Sequence, residues 1–228
     1  MSIPSTHAEI EQIYLAAEMA SCKSLCITAC QSDEGVTSVA TALTERYLLA
    51  GHKALLVDLN MFNPAFKELT IESNDDTQWI EHVDSHQLFT GVAIPGDQST
   101  QLAYKDPTFM GHAVKKWESQ FDRVIVDTSP LLQVNHRNIP AQSVASACDK
   151  TILVVKGGDT TSGQIEKAIE LLNSQKIDLL GTVLNVKDQP TLSMEILREI
   201  NRIPFLPKKI RQSIGRYLLR NEFLSQSA

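Results

Sequence analysis

Short apolar runs alternate with longer stretches of helical character along most of this chain. Residues 24–28, 54–58, 123–127, 150–155 and 179–184 are nearly continuous apolar segments. Such runs suit strands buried on both faces of a parallel sheet. Residues 37–50, 107–120 and about 160–175 carry helical patterns, and Ile165, Ala168, Ile169, Leu171 and Leu172 keep the 3.6-residue period. Gly51 stands where a glycine ends the first of these helices. A weaker strand is expected over 89–95, a helix within 1–22, a short last strand over 203–206 and a final helix over 208–222. Residues 59–88 are polar and irregular, and one or two short helices are expected there. Alternating strand and helix predicts an α/β fold with a doubly wound, mostly parallel sheet flanked by helices. No repeat or long linker divides the chain, so one domain over 1–228 is expected, with its core at 23–188.

The composition agrees with that reading. A chain of 228 residues with 43% hydrophobic and 21% charged residues is ordinary for a globular domain large enough to bury a core. There is no apolar run of membrane-spanning length and no signal-peptide pattern at residues 1–11, so a cytoplasmic location is expected. Cys22, Cys26 and Cys30 straddle the first strand and its loop, where they read as small buried side chains rather than metal ligands. The net charge of −6 argues against general nucleic-acid binding. Seven basic residues against the single acid Glu199 nevertheless fall between Arg198 and Arg220. Over 208–224, Lys208, Arg211, Arg216 and Arg220 belong to a basic amphipathic helix that either touches anionic lipid or an acidic partner, or packs with a solvated basic face. Ordinary packing ranks ahead.

Candidate chemistry lies at residues 28–38, Thr-Ala-Cys-Gln-Ser-Asp-Glu-Gly-Val-Thr-Ser. This segment joins a strand to a helix, where free backbone N–H groups cradle phosphate oxygens. Gly35 and Thr37 fit a phosphate loop, but Val36 stands where its lysine belongs. Thr37 reads as a Mg²⁺-ligating hydroxyl or as a plain helix N-cap, and the two roles are compatible. Asp58 and Asp127 each end a buried strand, where carboxylates meet a metal–phosphate unit or simply cap a turn. Their pairing with the loop favours the first. Gly157, Gly158, Thr160 and Thr161 form a second strand-to-helix turn that geometry and capping explain without a ligand.

Five ordered stretches carry a family resemblance. Ile27 to Ser38 is similar to a "TSA…GEGKS/T" loop. Gly51 to Asp58 followed by Asn63-Pro64 is similar to "GkkvLLIDaDlRrP". Val92 to Gly96 matches "vlpaG", Phe121 to Pro130 matches "FDyVIIDTPP", and Gly181 to Asn185 matches "GvVLN". The chain thus resembles the deviant-Walker P-loop ATPases of the MinD/ParA superfamily, and among them the bacterial tyrosine kinase (BY-kinase) domains of capsule and exopolysaccharide export. The resemblance implies a P-loop NTPase fold and ATP or ADP with Mg²⁺ as ligand. It implies nucleotide contacts at Glu34, Gly35, Val36, Thr37, Ser38 and Asn185, with Mg²⁺ held by Thr37, Asp58 and Asp127. Asp58 and Asp127 are the candidate catalytic residues, and Asn185 would read the adenine.

Departures from the pattern change the expected activity. Val36 replaces the lysine, Gln31 and Asp33 replace the signature lysine and first glycine, and Asn60 replaces the second acid of the DxD element. Met61-Phe62-Asn63 replaces an arginine-rich continuation. Glu11-x-x-Tyr14-x-x-Ala17 lacks the arginines of the family's oligomerisation motif, and Tyr217 stands alone where the kinases have a tyrosine cluster. Phosphoryl transfer rests on electrostatic stabilisation, where one lost donor costs roughly 10²–10³ in rate. Asp33 and Glu34 add two negative charges to a loop meant for an anion. The expected protein is a catalytically degenerate regulator or scaffold that binds nucleotide weakly. It would act with a protein partner in a polysaccharide synthesis or export complex at the inner membrane, with a face-to-face homodimer as one assembly. Two alternatives stay open: an active ATPase or tyrosine kinase with a relocated cation such as Lys156, and a MinD-like positioning factor.

Overall fold

The computed structural model describes residues 3–69, 78–133, 135, 138–186, 192–202 and 214–218. In chain order the elements are α1 (Ala8–Met19), β1 (Ser24–Ala29), α2 (Val36–Leu49), β2 (Ala54–Leu59), β3 (Phe66–Leu69), β4 (Trp79–His82) and β5 (Leu88–Val92). Then come α3 (Gln98–Ala103), α4 (Pro107–Gln120), β6 (Arg123–Thr128), α5 (Ala141–Ala145), β7 (Lys150–Lys156), α6 (Ser162–Ser174), β8 (Leu179–Asn185) and α7 (Leu192–Arg202). The chain forms two compact units, Met1–Val155 with Thr160–Val183, and Lys156–Asp159 with Leu184–Ala228.

The sheet of the first unit runs β3-β4-β5-β2-β6-β1-β7-β8. Strands β5, β2, β6, β1 and β7 pair in parallel, while β3, β4 and β5 pair antiparallel. Successive strand residues point to opposite faces, so each central strand feeds two cores. Leu25, Ile27, Ala54, Leu56 and Ile125 pack with Ala17 of α1 and with Val39, Leu43 and Tyr47 of α2. Cys26, Leu55, Val57, Val124 and Val126 pack on the other face with Met110, Val114 and Trp117 of α4, Val144 of α5, and Ala168 and Leu172 of α6. This is the doubly wound arrangement expected. The thiols of Cys22, Cys26 and Cys30 are buried, and burial pushes the Cys26 and Cys30 thiols up to about 12 and about 11.

Helix α1 begins at residue 8 and is fixed by charged and aromatic contacts as well as by its apolar face. Arg46 bonds both carboxylate oxygens of Glu11 and lies 3.9 Å over the Tyr14 ring. Arg123 bonds Glu18 in the same forked way, and Tyr14 meets Tyr47 edge-on with 5.0 Å between ring centres. Two-pronged guanidinium–carboxylate pairs fix orientation better than a single contact does.

Helix α4 has the limits read from the sequence, because Asp106 accepts from Thr108 and Phe109 N–H and Pro107 occupies the first turn. The expectation for residues 59–88 was wrong. Instead of short helices, the described part of this stretch holds strands β3 and β4, which extend the sheet beyond β5. Each has four residues and buries only one side chain fully, Phe66 and Ile80. The expected last strand at 203–206 lies outside the described residues, as does most of the final helix. Residues 214–218 are helical, and Arg202 of α7 pairs with Glu199 at 2.6 Å.

Gly91 in β5 shows how closely β4 and β2 press on that strand. A Cβ there would sit 2.4 Å from both Ile80 Cδ1 and Leu56 O. Gly91→Ala is expected to lower stability by roughly 1–3 kcal/mol, as overpacking does. The measurement is the urea midpoint at unchanged slope; an unchanged midpoint would mean that β2 and β4 yield freely at this site.

Candidate nucleotide site

Asp58 and Asp127 are direct partners across the β2–β6 ladder, at the carboxyl ends of both strands. They share the parity of Leu56 and Ile125, so both stand on the sheet face that α2 covers. Helix α2 opens at that end, and Thr37 in its first turn donates its hydroxyl to Asp127 Oδ2 at 2.5 Å. The N-cap is Gly35, at φ 102°, and it makes no side-chain cap bond. Thr37 is therefore not the cap; its hydroxyl serves the carboxylate. Among the described residues nothing accepts from the N–H groups of Gly35, Val36, Thr37 or Ser38, so the anion cradle at the start of α2 is open.

The loop before α2 is shaped by side chains rather than by glycines. Glu34 is only 3% exposed, and its carboxylate accepts from Cys30 N–H at 2.9 Å and from the Thr160 hydroxyl. The Glu34 charge is thus absorbed by the loop's own frame. Asp33 is exposed and adopts a left-handed φ of 63°, a conformation glycine takes freely and Asp tolerates. Gln133 Oε1 accepts from Ser32 N–H at 2.9 Å, and Leu131 N–H donates to Ala29 O at 2.8 Å. Val36 is 7% exposed and packs in the core on the α2 face. It brings no charge to the cradle.

The two aspartates differ in their bonding. Asp58 Oδ1 accepts from Asn60 N–H, and Oδ2 accepts from Ala65 and Phe66 N–H, so this carboxylate folds the segment that follows β2. Asn60 closes the same turn through Phe62 and Asn63 N–H. Asp127 Oδ1 is buried and no group among the described residues donates to it within hydrogen-bond distance, although the Asn60 amide lies near enough to act on its charge. Burial raises the Asp58 pKa to about 6 against its three backbone bonds. Burial raises Asp127 well above the usual range and the Asp58 charge adds to it, with Thr37 and Asn60 opposing.

Asn185 ends β8 in the second unit, where its carbonyl accepts from Gly157 N–H at 2.8 Å. Lys156, in the same unit, pairs with Asp159 at 3.0 Å. Thr161 caps α6 through a capping box with Gln164, as its turn chemistry predicts. Sequence reasoning did not find the Glu34–Thr160 and Ser32–Gln133 contacts, and Thr160 had been assigned to capping alone.

Hard oxygen donors at Thr37, Asp58 and Asp127 suit Mg²⁺, and the orphaned Asp127 Oδ1 is an acceptor still lacking a partner. Those residues would hold the metal, whose chemistry there is to offset phosphate charge. The open N–H groups suit a phosphate, but no loop lysine stands opposite its terminal oxygens. The metal half of a nucleotide site fits, and the polyphosphate half lacks its cation.

A parallel sheet whose first strand runs through an N–H-lined loop into a helix, with acids ending the neighbouring strands, defines a P-loop NTPase fold. The chain belongs to the AAA domain family, whose model matches residues 23–208. It is 28% identical over 182 residues to tyrosine-protein kinase YwqD of Bacillus subtilis, covering 72% of this chain and 73% of that one. To tyrosine-protein kinase CpsD of Streptococcus agalactiae it is 27% identical over 178 residues, covering 72% and 75%. Among solved structures, the kinase domain of Escherichia coli tyrosine kinase ETK is similar in fold, with a TM-score of 0.59 at 20% identity over 81% of this chain and 80% of that one. The septum site-determining protein MinD of Pyrococcus horikoshii, complexed with Mg-ADP, has a TM-score of 0.52 at 16% identity over 84% and 76%. The family resemblance read from the motifs therefore holds.

The aspartate pair makes the metal-free site a local instability. A carboxyl that holds its proton more tightly when folded contributes stability that is lost as pH rises from its unfolded to its folded pKa. For Asp58 that window runs from about 3.8 to about 6, and Asp127 extends it upward. Asp127→Asn is expected to melt higher than wild type without metal. The gap should widen as pH rises through this window and level off above it. A melting-temperature series in chelator tests this; a gap independent of pH would show that the pair is not charged against its environment.

Proposed function

We propose that this chain is a BY-kinase-like protein that keeps the phosphate cradle and has lost turnover. On this reading it serves as a regulatory or scaffolding partner in bacterial exopolysaccharide synthesis or export. The observation that carries the proposal is Val36: an apolar side chain in the core at the start of α2, where phosphoryl transfer needs a cation. Asn60 supports it, because its side chain closes a turn instead of supplying a second acid. Lys156, the candidate replacement, is engaged with Asp159.

The open N–H groups and the Thr37–Asp127 bond support weak binding of Mg·ADP or Mg·ATP without hydrolysis. Work by such a protein falls to its surfaces, through contact with a membrane-embedded component of the export machinery at the cytoplasmic face of the inner membrane, or through a homodimer. Among the described residues no helix is long and apolar enough to cross a membrane. The lipid contact considered for residues 208–224 lies largely outside the described residues.

Calorimetric titration with Mg·ADP and Mg·ATP tests the reading on wild type and on Val36→Lys. A charge-assisted contact to phosphate is worth about 1.5–3 kcal/mol, so the variant should bind roughly 10–100-fold more tightly. Wild type should bind weakly or not at all and show background hydrolysis. Micromolar wild-type affinity with turnover abolished by Asp127→Ala would overturn the proposal.

A further inference from the structure

The outward face of α4 and the turn before it form a basic, aromatic surface that no part of the described chain covers. Phe109 and Leu102 are 45% and 67% exposed. Phe109 does not float: Tyr104 lies against it at 5.7 Å between ring centres and is itself seated on Trp117. His112 and Lys116 follow Phe109 on the same helical stripe, and Lys115 flanks it. From Pro107 to Trp117 the helix has no acid. The carboxylates at its ends are engaged: Asp106 accepts from the Thr108 and Phe109 N–H groups, and Glu118 from the Ser24 hydroxyl, while Asp97 near Tyr104 accepts from Thr100 N–H.

Beside the start of α4 is an open pocket of about 350 Å³ lined by Pro107, Pro140, Gln142, Ser143, Ser146 and Gln175. None of these residues is charged. Ser143 is turned away to the Lys105 carbonyl, and Gln142 Oε1, which accepts no hydrogen bond among the described residues, is buried beneath the pocket surface. Lys176 is exposed directly after the Gln175 rim. Among the described residues Lys115, Lys116 and Lys176 form no ion pair, although the whole chain carries a net charge of −6. Local positive charge on an acidic chain selects for an anionic partner, while a rigid exposed aromatic supplies a binding anchor. The pocket has no charged lining residue, so it suits an uncharged side chain rather than a phosphate.

We propose that the α4 face and this pocket form a docking site for an acidic peptide segment of a partner protein. An apolar side chain of the segment covers Phe109 and Leu102, its carboxylates meet Lys116 and Lys176, and an uncharged side chain enters the neutral pocket. The site is separate from the Thr37–Asp127 pair, none of whose residues lines the pocket, so the proposal stands whatever nucleotide does.

The test uses the full chain and a panel of fluorescent peptides that alternate Glu with Leu or Phe, read by anisotropy. Glu-to-Lys versions of the same peptides are the controls, and anionic phosphatidylglycerol vesicles are a separate probe. The acidic peptides should bind and the basic ones should not. Phe109→Ser and Lys116→Glu should each weaken binding roughly tenfold or more, with melting temperatures near wild type because both side chains are exposed. A Glu45→Lys variant, remote in sequence, should leave binding unchanged. Absence of binding by any acidic peptide, or equal binding to the α4 variants, overturns the proposal. Vesicle binding that is lost in the same two variants, without peptide binding, would assign the face to lipid and overturn it equally.

Discussion

Two carboxylates buried side by side at the ends of the central strands are the constraint on which the site depends. Burial of one acid is unfavourable, and burial of two adjacent acids is worse, unless bonds or a cation answer the charge. The chain answers Asp58 completely, with three backbone N–H groups that fold the segment after β2. It answers Asp127 only halfway, through Thr37, and leaves Oδ1 without a partner. Asp58 therefore has a structural role whatever binds, and its loss would unravel a turn. Asp127 is different: one of its oxygens gains no bond among the described residues, the pattern of a group that meets a ligand. On the proposed reading, this acid would serve a metal at the expense of local stability.

The phosphate loop has been rebuilt by other means. Where relatives are expected to have glycine, this chain has Asp33 in left-handed backbone, and it pins the rest with Glu34 and Gln133. Tethers from the segment after β6 and from the turn before α6 hold a shape that glycines would otherwise allow but not enforce. A cradle formed in this way needs no ligand to order it. That lowers the entropic penalty of binding an anion, yet it does nothing for the missing charge. Shape and charge have separated in this loop.

Much of the fold was legible because the central strands are buried on both faces. Continuous apolar runs ending in Asp58 and Asp127 admit few other readings, and the Asp106-Pro107 start defines α4 by capping chemistry alone. Strands β3 and β4 were not legible. Lys67, Glu68 and Glu81 dominate them, and only Phe66 and Ile80 enter the core, so pairing at the sheet edge rather than periodicity makes them strands. The site divides in the same way. Thr37, Asp58 and Asp127 were found through local motifs, whereas Glu34 meets Thr160 across 126 residues and Ser32 meets Gln133 across 101. No local pattern announces a partner that only the folded topology brings near. Glu34 consequently read as an added charge against the anion, when it is a structural tether.

Val36 joins these threads. At the first position of α2 a lysine could extend over the loop only by leaving the core, whereas valine packs with Val39 and the strands beneath and stabilises the helix start directly. The exchange gives up phosphate charge for burial, which favours the fold and disfavours turnover. If selection had preserved catalysis, the buried and unpartnered Asp127 would be expected beside a cation. Thr37 and Asp127 without the lysine offer oxygen ligands to a metal but give a phosphate no cation. The physical demand on such a site is modest: a metal and a loosely held phosphate need only stiffen the loop and the carboxyl ends of β2 and β6. Those elements also anchor the segments that follow them, so occupancy at the cradle would have a structural route to the surface loops beyond β2 and β6.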